Sequence, residues 1–175
     1  VNRLELVLLF VAAFLLAVAG LRLGWRNRAA RQSDLAELPP LPAEFGPELL
    51  PPLTGLYVGS TYAAQWQNRV VARTLGERAD AVARISHAGV LIERQGSPSI
   101  FLPTEALLDA RLEPALAGKV VGRGGLLVLR WQLGDVDLDS GLRGDDKTAY
   151  PAWVRAVNAM GAIAHVSDRG NNADE

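Results

Sequence analysis

The chain has 175 residues, 49% of them apolar and 21% charged, enough for one domain-sized core plus a modest extra segment. Eighteen basic against nineteen acidic residues leave a net charge of −1, which argues against a nucleic-acid binder. With no Cys, disulfide frameworks, thiolate metal sites and cysteine nucleophiles are excluded, and two His with one Met leave little for a transition metal.

The charge is sorted along the chain. Residues 1–31 carry Arg3, Arg22, Arg26, Arg28 and Arg31 against Glu5 alone, a local +4, and residues 32–52 carry four acids and no base. Leu6 to Leu21 is an uncharged run, and its extension from Leu4 to Leu23 gives twenty residues. At about 1.5 Å per residue a helix of that length matches the hydrocarbon thickness of a bilayer. No polar stripe interrupts it, so residues 1–31 read as a transmembrane anchor with an Arg-rich flank. Ala17-Val18-Ala19 before Gly20 offers a signal-peptidase site, but the bases crowd the far end of the run rather than its start. An uncleaved single-pass anchor is therefore expected in the plasma (inner) membrane, N-terminus outside and domain cytoplasmic. Arg22, Trp25, Arg26, Arg28 and Arg31 would then hold the membrane surface and its anionic lipid without selecting among headgroups. Ala13, Ala17, Gly20 and Gly24 share one helical face, through which the anchor could pair with another helix or form an oligomer.

Residues 32–52 hold six of the ten prolines, including Pro39, Pro40, Pro42 and Pro47, and read as an acidic spacer in extended geometry. From Leu53 the pattern changes to short alternating runs, and residues 53–168 read as the domain, with 169–175 a polar tail. Thr54 to Tyr62 is a strand by its Thr, Tyr and Val content. Ala79–Ser86 and Gly89–Arg94 form a hairpin about His87-Ala88. Ser99–Leu102, Leu107–Leu112 and Leu126–Leu133 follow as strands, with the Gly122-Arg123-Gly124-Gly125 stretch a turn between the last two. After Gly134, Asp135 to Leu142 alternates Val136 and Leu138 with Asp135, Asp137 and Asp139, which places three acids on a solvated face.

Trp153, Ala156, Val157 and Met160 then fall on one face of a helix, with Thr148 or a nearby Asp to cap it, Pro151 in its first turn and Gly161 to end it. Six or seven strands followed by one amphipathic helix predict a mainly β fold, a half-open barrel capped by a C-terminal helix. In it Trp66, Trp131 and Trp153 are core or rim anchors.

The Tyr57-Val58-Gly59-Ser60-Thr61 strand, the later Trp66, and the Gly141-Leu142-Arg143 turn before Trp153 are where the chain resembles a known group. Over residues 53–161 it is similar to the bacterial pleckstrin-homology-like domains, and to small single-pass membrane proteins that join an anchor to one such domain. The resemblance implies a PH-like fold and membrane association more than a function.

Motifs for chemistry are sparse. The Gly122–Gly125 stretch lacks the spaced third glycine of a dinucleotide loop, no phosphate-cradling GxxxxGK[ST] exists, and His87 and His165 lack metal-ligand spacing. Ser86 and His87 are neighbours on a strand and point to opposite faces, so they form no dyad. Asp135-x-Asp137-x-Asp139 mimics a calcium loop but has Ser140 where the turn needs Gly. Lipid-headgroup recognition would need clustered bases, whereas Lys119, Arg123 and Lys147 are scattered. No enzyme, cofactor or metal is expected. The expectation is a membrane-tethered interaction module that binds a protein partner through an open strand edge or the groove beside the final helix. The alternatives are an accessory subunit of a transporter or envelope-export complex, and a small-ligand or metal sensor.

Overall fold

The computed structural model describes residues 10–16, 18, 20, 35–122 and 125–171, with backbone alone after residue 163. The chain divides into two compact units, Val1–Asp34 and Leu35–Glu175. In the first, residues 10–16 are helical and expose Phe10, Phe14, Leu15 and Leu16. Among the described residues no helix is long and apolar enough to cross a membrane. Ala13 and Gly20 lie on helical backbone with their surfaces exposed. Ala17, Arg22, Gly24, Trp25, Arg26, Arg28 and Arg31 lie outside the described residues.

The second unit is built on nine strands, β1 (Leu53–Tyr62), β2 (Ala79–Ser86), β3 (Gly89–Arg94), β4 (Ile100–Pro103), β5 (Leu107–Glu113), β6 (Ala115–Leu116), β7 (Lys119–Val120), β8 (Leu126–Leu133) and β9 (Val136–Gly144). Helix α1 (Tyr150–Asn171) closes it. Seven strands form one antiparallel sheet in the order β4-β3-β2-β1-β9-β8-β5, and β6 and β7 form a separate two-stranded ribbon. The His87-Ala88 hairpin pairs Ser86 with Gly89, as its flanking alternation predicts. The first strand pairs with the last, so two meanders share β1 and β9 as their seam. Ile100 and Leu102 of β4, Ala110 of β5, and Trp153 and Val157 of α1 lie in one core cluster. The sheet therefore curls about a common interior that the helix covers. This is a mainly β fold closed by one C-terminal helix, as the strand series and the final amphipathic stretch predict.

Polar groups inside this interior are joined into a chain. Tyr57 Oη donates to the Leu75 carbonyl at 2.9 Å and lies 2.7 Å from Ser60 Oγ. Ser60 Oγ meets Ser140 Oγ at 2.6 Å, and Trp131 Nε1 donates to Ser140 Oγ at 2.9 Å. Buried hydroxyls and an indole N–H each cost free energy when unpaired, so the chain is what allows them in the core. A register shift between Tyr57 and Gly59 turns Val58 to the outer face while Tyr57 and Ser60 both stay inside.

Four expectations change. Residues 35–52, read as part of a spacer, lie against the domain: Leu35 is in the main core, and Leu38 and Leu50 pack on it. Arg73 donates to the Leu35 carbonyl, Leu49 N–H donates to the Ile85 carbonyl at 2.9 Å, and Ser86 Oγ donates to the Phe45 carbonyl. Extended, proline-rich backbone needs no neighbours to form, but apolar side chains still seek burial, and the strap turns Leu35, Leu38 and Leu50 inward while Leu41 and Leu49 stay exposed.

Gly161 does not end the helix, which runs on to Asn171. A Cβ there would come within 3.0 Å of the Leu107 carbonyl, so the glycine lets α1 close on β5. The helix entry is set by Asp146, whose carboxylate accepts the Thr148 N–H at 2.9 Å, and by Tyr150, whose hydroxyl accepts the Gly144 N–H at 2.8 Å.

Gly141-Leu142-Arg143 is not a turn but part of β9, where any Cβ at Gly141 would stand 2.6 Å from Leu116 Cδ2. The ribbon carrying Leu116 folds over the outer face and makes a second apolar layer with Val58, Ala117, Leu126 and Val128. The row of acids changes at one position: Asp135 and Asp137 are exposed as expected, but Asp139 is covered. Leu138 to Leu142 are all buried, Asp139 included. The Gly122–Gly125 turn falls partly outside the described residues.

Candidate functional site

The outer face of β9, β8 and β5 carries the densest group of charges in the domain. Asp139 is paired in register with Arg130 across one side of its strand and with Thr61 across the other. Its side chain is only 3% exposed. A carboxylate removed from water costs several kcal/mol unless it is paired and hydrogen-bonded. Here Oδ1 accepts from Arg130 Nε at 2.9 Å and from Arg111 at 3.2 Å. Oδ2 accepts from Arg111 at 2.7 Å, from Arg130 at 3.0 Å and from the Ala64 N–H at 3.3 Å. Burial by itself would raise the Asp139 carboxyl, but the hydrogen bonds from Arg130 and Arg111 outweigh it and hold the group below its ordinary range. Burial likewise opposes the charge on Arg111, and the bonds to Asp139 and Glu113 more than offset it.

Arg111 continues outward. Its Nε donates to Glu113 at 2.8 Å and a terminal nitrogen donates to Asp109 at 3.1 Å. Asp109, Arg111 and Glu113 alternate along β5, which brings all three to one face. Arg111, Arg130, Asp109, Glu113 and Asp139 together carry a charge of −1.

Trp66 rises beside this cluster on the β1–β2 connection. The Gln65 N–H closes a turn on the Tyr62 carbonyl at 3.0 Å, with Ala64 in left-handed backbone at φ 60°. That strain, of order 1 kcal/mol or more, is held by the Ala64 bond to Asp139. The Trp66 carbonyl accepts the Gly118 N–H at 3.3 Å, which joins the loop to the ribbon. Arg69 donates to the carbonyls of Gly76 and Ala117, each at 3.0 Å, and so ties the same two segments together. Between them opens a cleft of about 370 Å³ lined by Trp66, Arg111, Glu113, Pro114, Leu116 and Asp139, among others. Trp66 is 42% exposed at its mouth, a rim residue, while Trp131 and Trp153 are core. Thr61 Oγ1, on the strand beside Asp139, is buried without a hydrogen-bond partner.

The other surfaces are less formed. A larger depression of about 450 Å³ over Leu56, Val82 and Glu93 has no aromatic ring in its lining. The groove beside the start of α1, about 270 Å³, is walled by Pro51, Pro52 and Trp153, whose indole N–H is buried and unpartnered. Of the expected open strand edges, that of β5 is filled at Ala110 by the Asn158 side chain. β4 is four residues long and ends in Pro103, which has no N–H to offer.

For chemistry the cleft offers no nucleophile beside a base. Ser60 and Ser140 are locked in the core chain, Ser86 is spent on the Phe45 carbonyl, and His87 is exposed on the hairpin tip. Among the described residues no group of three or more His, Cys, Asp and Glu could hold a metal ion. Arg94, the last residue of β3, is turned to backbone carbonyls: it donates to Thr74 and Pro98 and stacks 5.1 Å from the Tyr57 ring centre. Lys119 and Lys147 stand on different elements, and Arg123 lies outside the described residues.

Sequence reasoning named Trp66 but not Arg111, Arg130 or the cleft. The available signal was the Asp-x-Arg-x-Glu alternation of residues 109–113, which sets three charges on one face of a strand.

The family model described as Bacterial PH domain-like matches residues 35–158. No curated protein matches the chain. The matched span opens at Leu35, the first residue of the strap, and ends within the helix at Asn158, the residue that fills the β5 edge, so it lies wholly in the second unit. The chain belongs to the bacterial PH domain-like family.

Proposed function

We propose that this protein is a non-enzymatic interaction module, held at the inner face of the plasma membrane by its N-terminal segment, that binds a protein partner at the Trp66 cleft. The observation that carries the reading is the half-exposed Trp66 ring at the mouth of a cleft whose floor is the ion cluster centred on Asp139. The buried Asp139 at its centre is held by bonds from two arginines, while an exposed aromatic beside apolar walls is the composition of a protein-binding hot spot. PH-like domains are in general interaction modules without catalysis. The tether rests on the uncharged run from Leu6 to Leu21 and on the four arginines that follow it.

A photo-crosslinking amino acid in place of Trp66 should capture one defined protein in cells, and the same group in place of His87 should not. Equal capture from both positions would remove the cleft from the reading. Because the chain has no Cys, a single cysteine in place of Gln67 reports sidedness. A membrane-impermeant maleimide should label it only after the cells are opened, and labelling of intact cells would place the domain outside.

The second reading is an accessory subunit of a transporter or envelope-export complex, in which the helix itself makes the contact. Replacing residues 4–23 by an unrelated anchor should preserve crosslinking from position 66 under the first reading and abolish function under the second.

A further inference from the structure

We infer that the Trp66 cleft receives a basic side chain, an arginine or lysine of the partner protein. This rests on the reading of the cleft as a docking site and adds the chemistry of what enters it.

The cluster looks amphoteric, yet its two signs are not equally available. Arg111 and Arg130 direct four hydrogen bonds into Asp139, and Arg111, the arginine of the cleft lining, gives two more to Glu113 and Asp109. The acids are not used up in the same way. Glu113 spends Oε1 on Arg111 and Asp109 spends Oδ2, which leaves the second oxygen of each toward solvent on side chains 36% and 41% exposed. An incoming anion would meet the free oxygen of Glu113 in the cleft lining, whereas a cation would complete it.

The indole supplies the second element. Among the described residues the cation lying over an aromatic ring is Arg94 over Tyr57, so the Trp66 face is not occupied in that way. Trp is the strongest ring for such contacts, and a guanidinium or ammonium between an indole face and a carboxylate gains from both while its alkyl stem lies on apolar walls. Pro114 and Leu116 provide those walls.

The test uses the full chain in nonionic detergent, titrated with capped tripeptides Ala-X-Ala and followed by the amide and indole N–H signals of nitrogen-15-labelled protein. With X as arginine or lysine, the Trp66 indole and Ala64 amide should shift and saturate with a dissociation constant on the order of 1 mM. Binding should weaken by about tenfold in Trp66→Ala and by about threefold in Glu113→Gln, and should fall as salt is raised. Citrulline, which keeps the shape of arginine without its charge, should bind weakly or not at all. If leucine or citrulline binds as well as arginine, the basic assignment is overturned while the cleft stands as a docking site. If glutamate binds best, the assignment is overturned in the opposite sense. If no peptide shifts Trp66 or Ala64, both the assignment and the docking reading fail.

Discussion

The side-chain amide of Asn158 is hydrogen-bonded in both directions to the main chain of Ala110, accepting its N–H at 2.6 Å and donating to its carbonyl at 3.1 Å. An amide on a helix thus takes the place of the next strand at the open side of β5. Unpaired strand edges template association with other chains, so the contact serves solubility as well as stability. Asn158→Ala removes two hydrogen bonds and is expected to cost about 2 kcal/mol in urea unfolding. Sedimentation velocity at high concentration should show self-association in the variant and not in the parent.

The Asp139 cluster gives a sharper expectation. Asp139→Ala leaves Arg111 and Arg130 facing each other without their shared acceptor, and breaking a buried pair from one side costs about 3–5 kcal/mol. The same change releases the Ala64 N–H, so the exposed indole of Trp66 should lose its fixed position, readable as loss of dispersion of its N–H signal. The folded-state carboxyl lies below its ordinary value of 3.8, so its contribution is present above that pH and is lost as pH falls through the folded value. The parent should therefore weaken on acidification below about pH 4, and Asp139→Ala should show a flatter profile there.

Alkali tests the interior chain. Burial pushes the Tyr57 phenol up from 10.0 to about 12, against the smaller opposing effects of Ser60 and Arg94. A raised phenol favours the neutral form in the folded state, so its contribution is intact below the unfolded value and lost as pH climbs from 10 toward 12. The fall over that window should reach about 3 kcal/mol, and Tyr57→Phe should flatten it while lowering stability at neutral pH by about 1 kcal/mol.

The strap makes a prediction of contrast. Leu35 is buried in the main core and Leu41, six residues on, is exposed. Leu35→Ala should cost about 2–3 kcal/mol in the urea midpoint and Leu41→Ala less than about 0.5 kcal/mol. Equal, small effects at both positions would mean that the segment does not pack.

What was legible in the sequence followed from local rules. The His87-Ala88 hairpin, Leu126–Leu133 and the Trp153/Val157/Met160 face obey the periods of strand and helix, and each is placed where those periods put it. What was not legible depended on long-range cover. Asp139 sits on the outward phase of β9, and alternation alone calls that phase wet. Only the ribbon and the β1–β2 loop, from distant parts of the chain, make it dry. The strap was hidden for a related reason, since prolines announce an extended backbone but not what lies beneath it. Trp66 could be noticed as an aromatic, yet its partners Arg111 and Glu113 are nearly fifty residues away, and no spacing rule joins them.

The missing side chain at Gly141 has a further reach. Leu116 settles into the space it leaves, and the same ribbon carries Pro114 and Ala115 at the cleft wall. A substitution at this glycine would lift the ribbon and, with it, one wall of the Trp66 cleft. Hidden packing and surface shape are thereby inherited as a single trait: a descendant that alters the buried layer reshapes the groove in the same step.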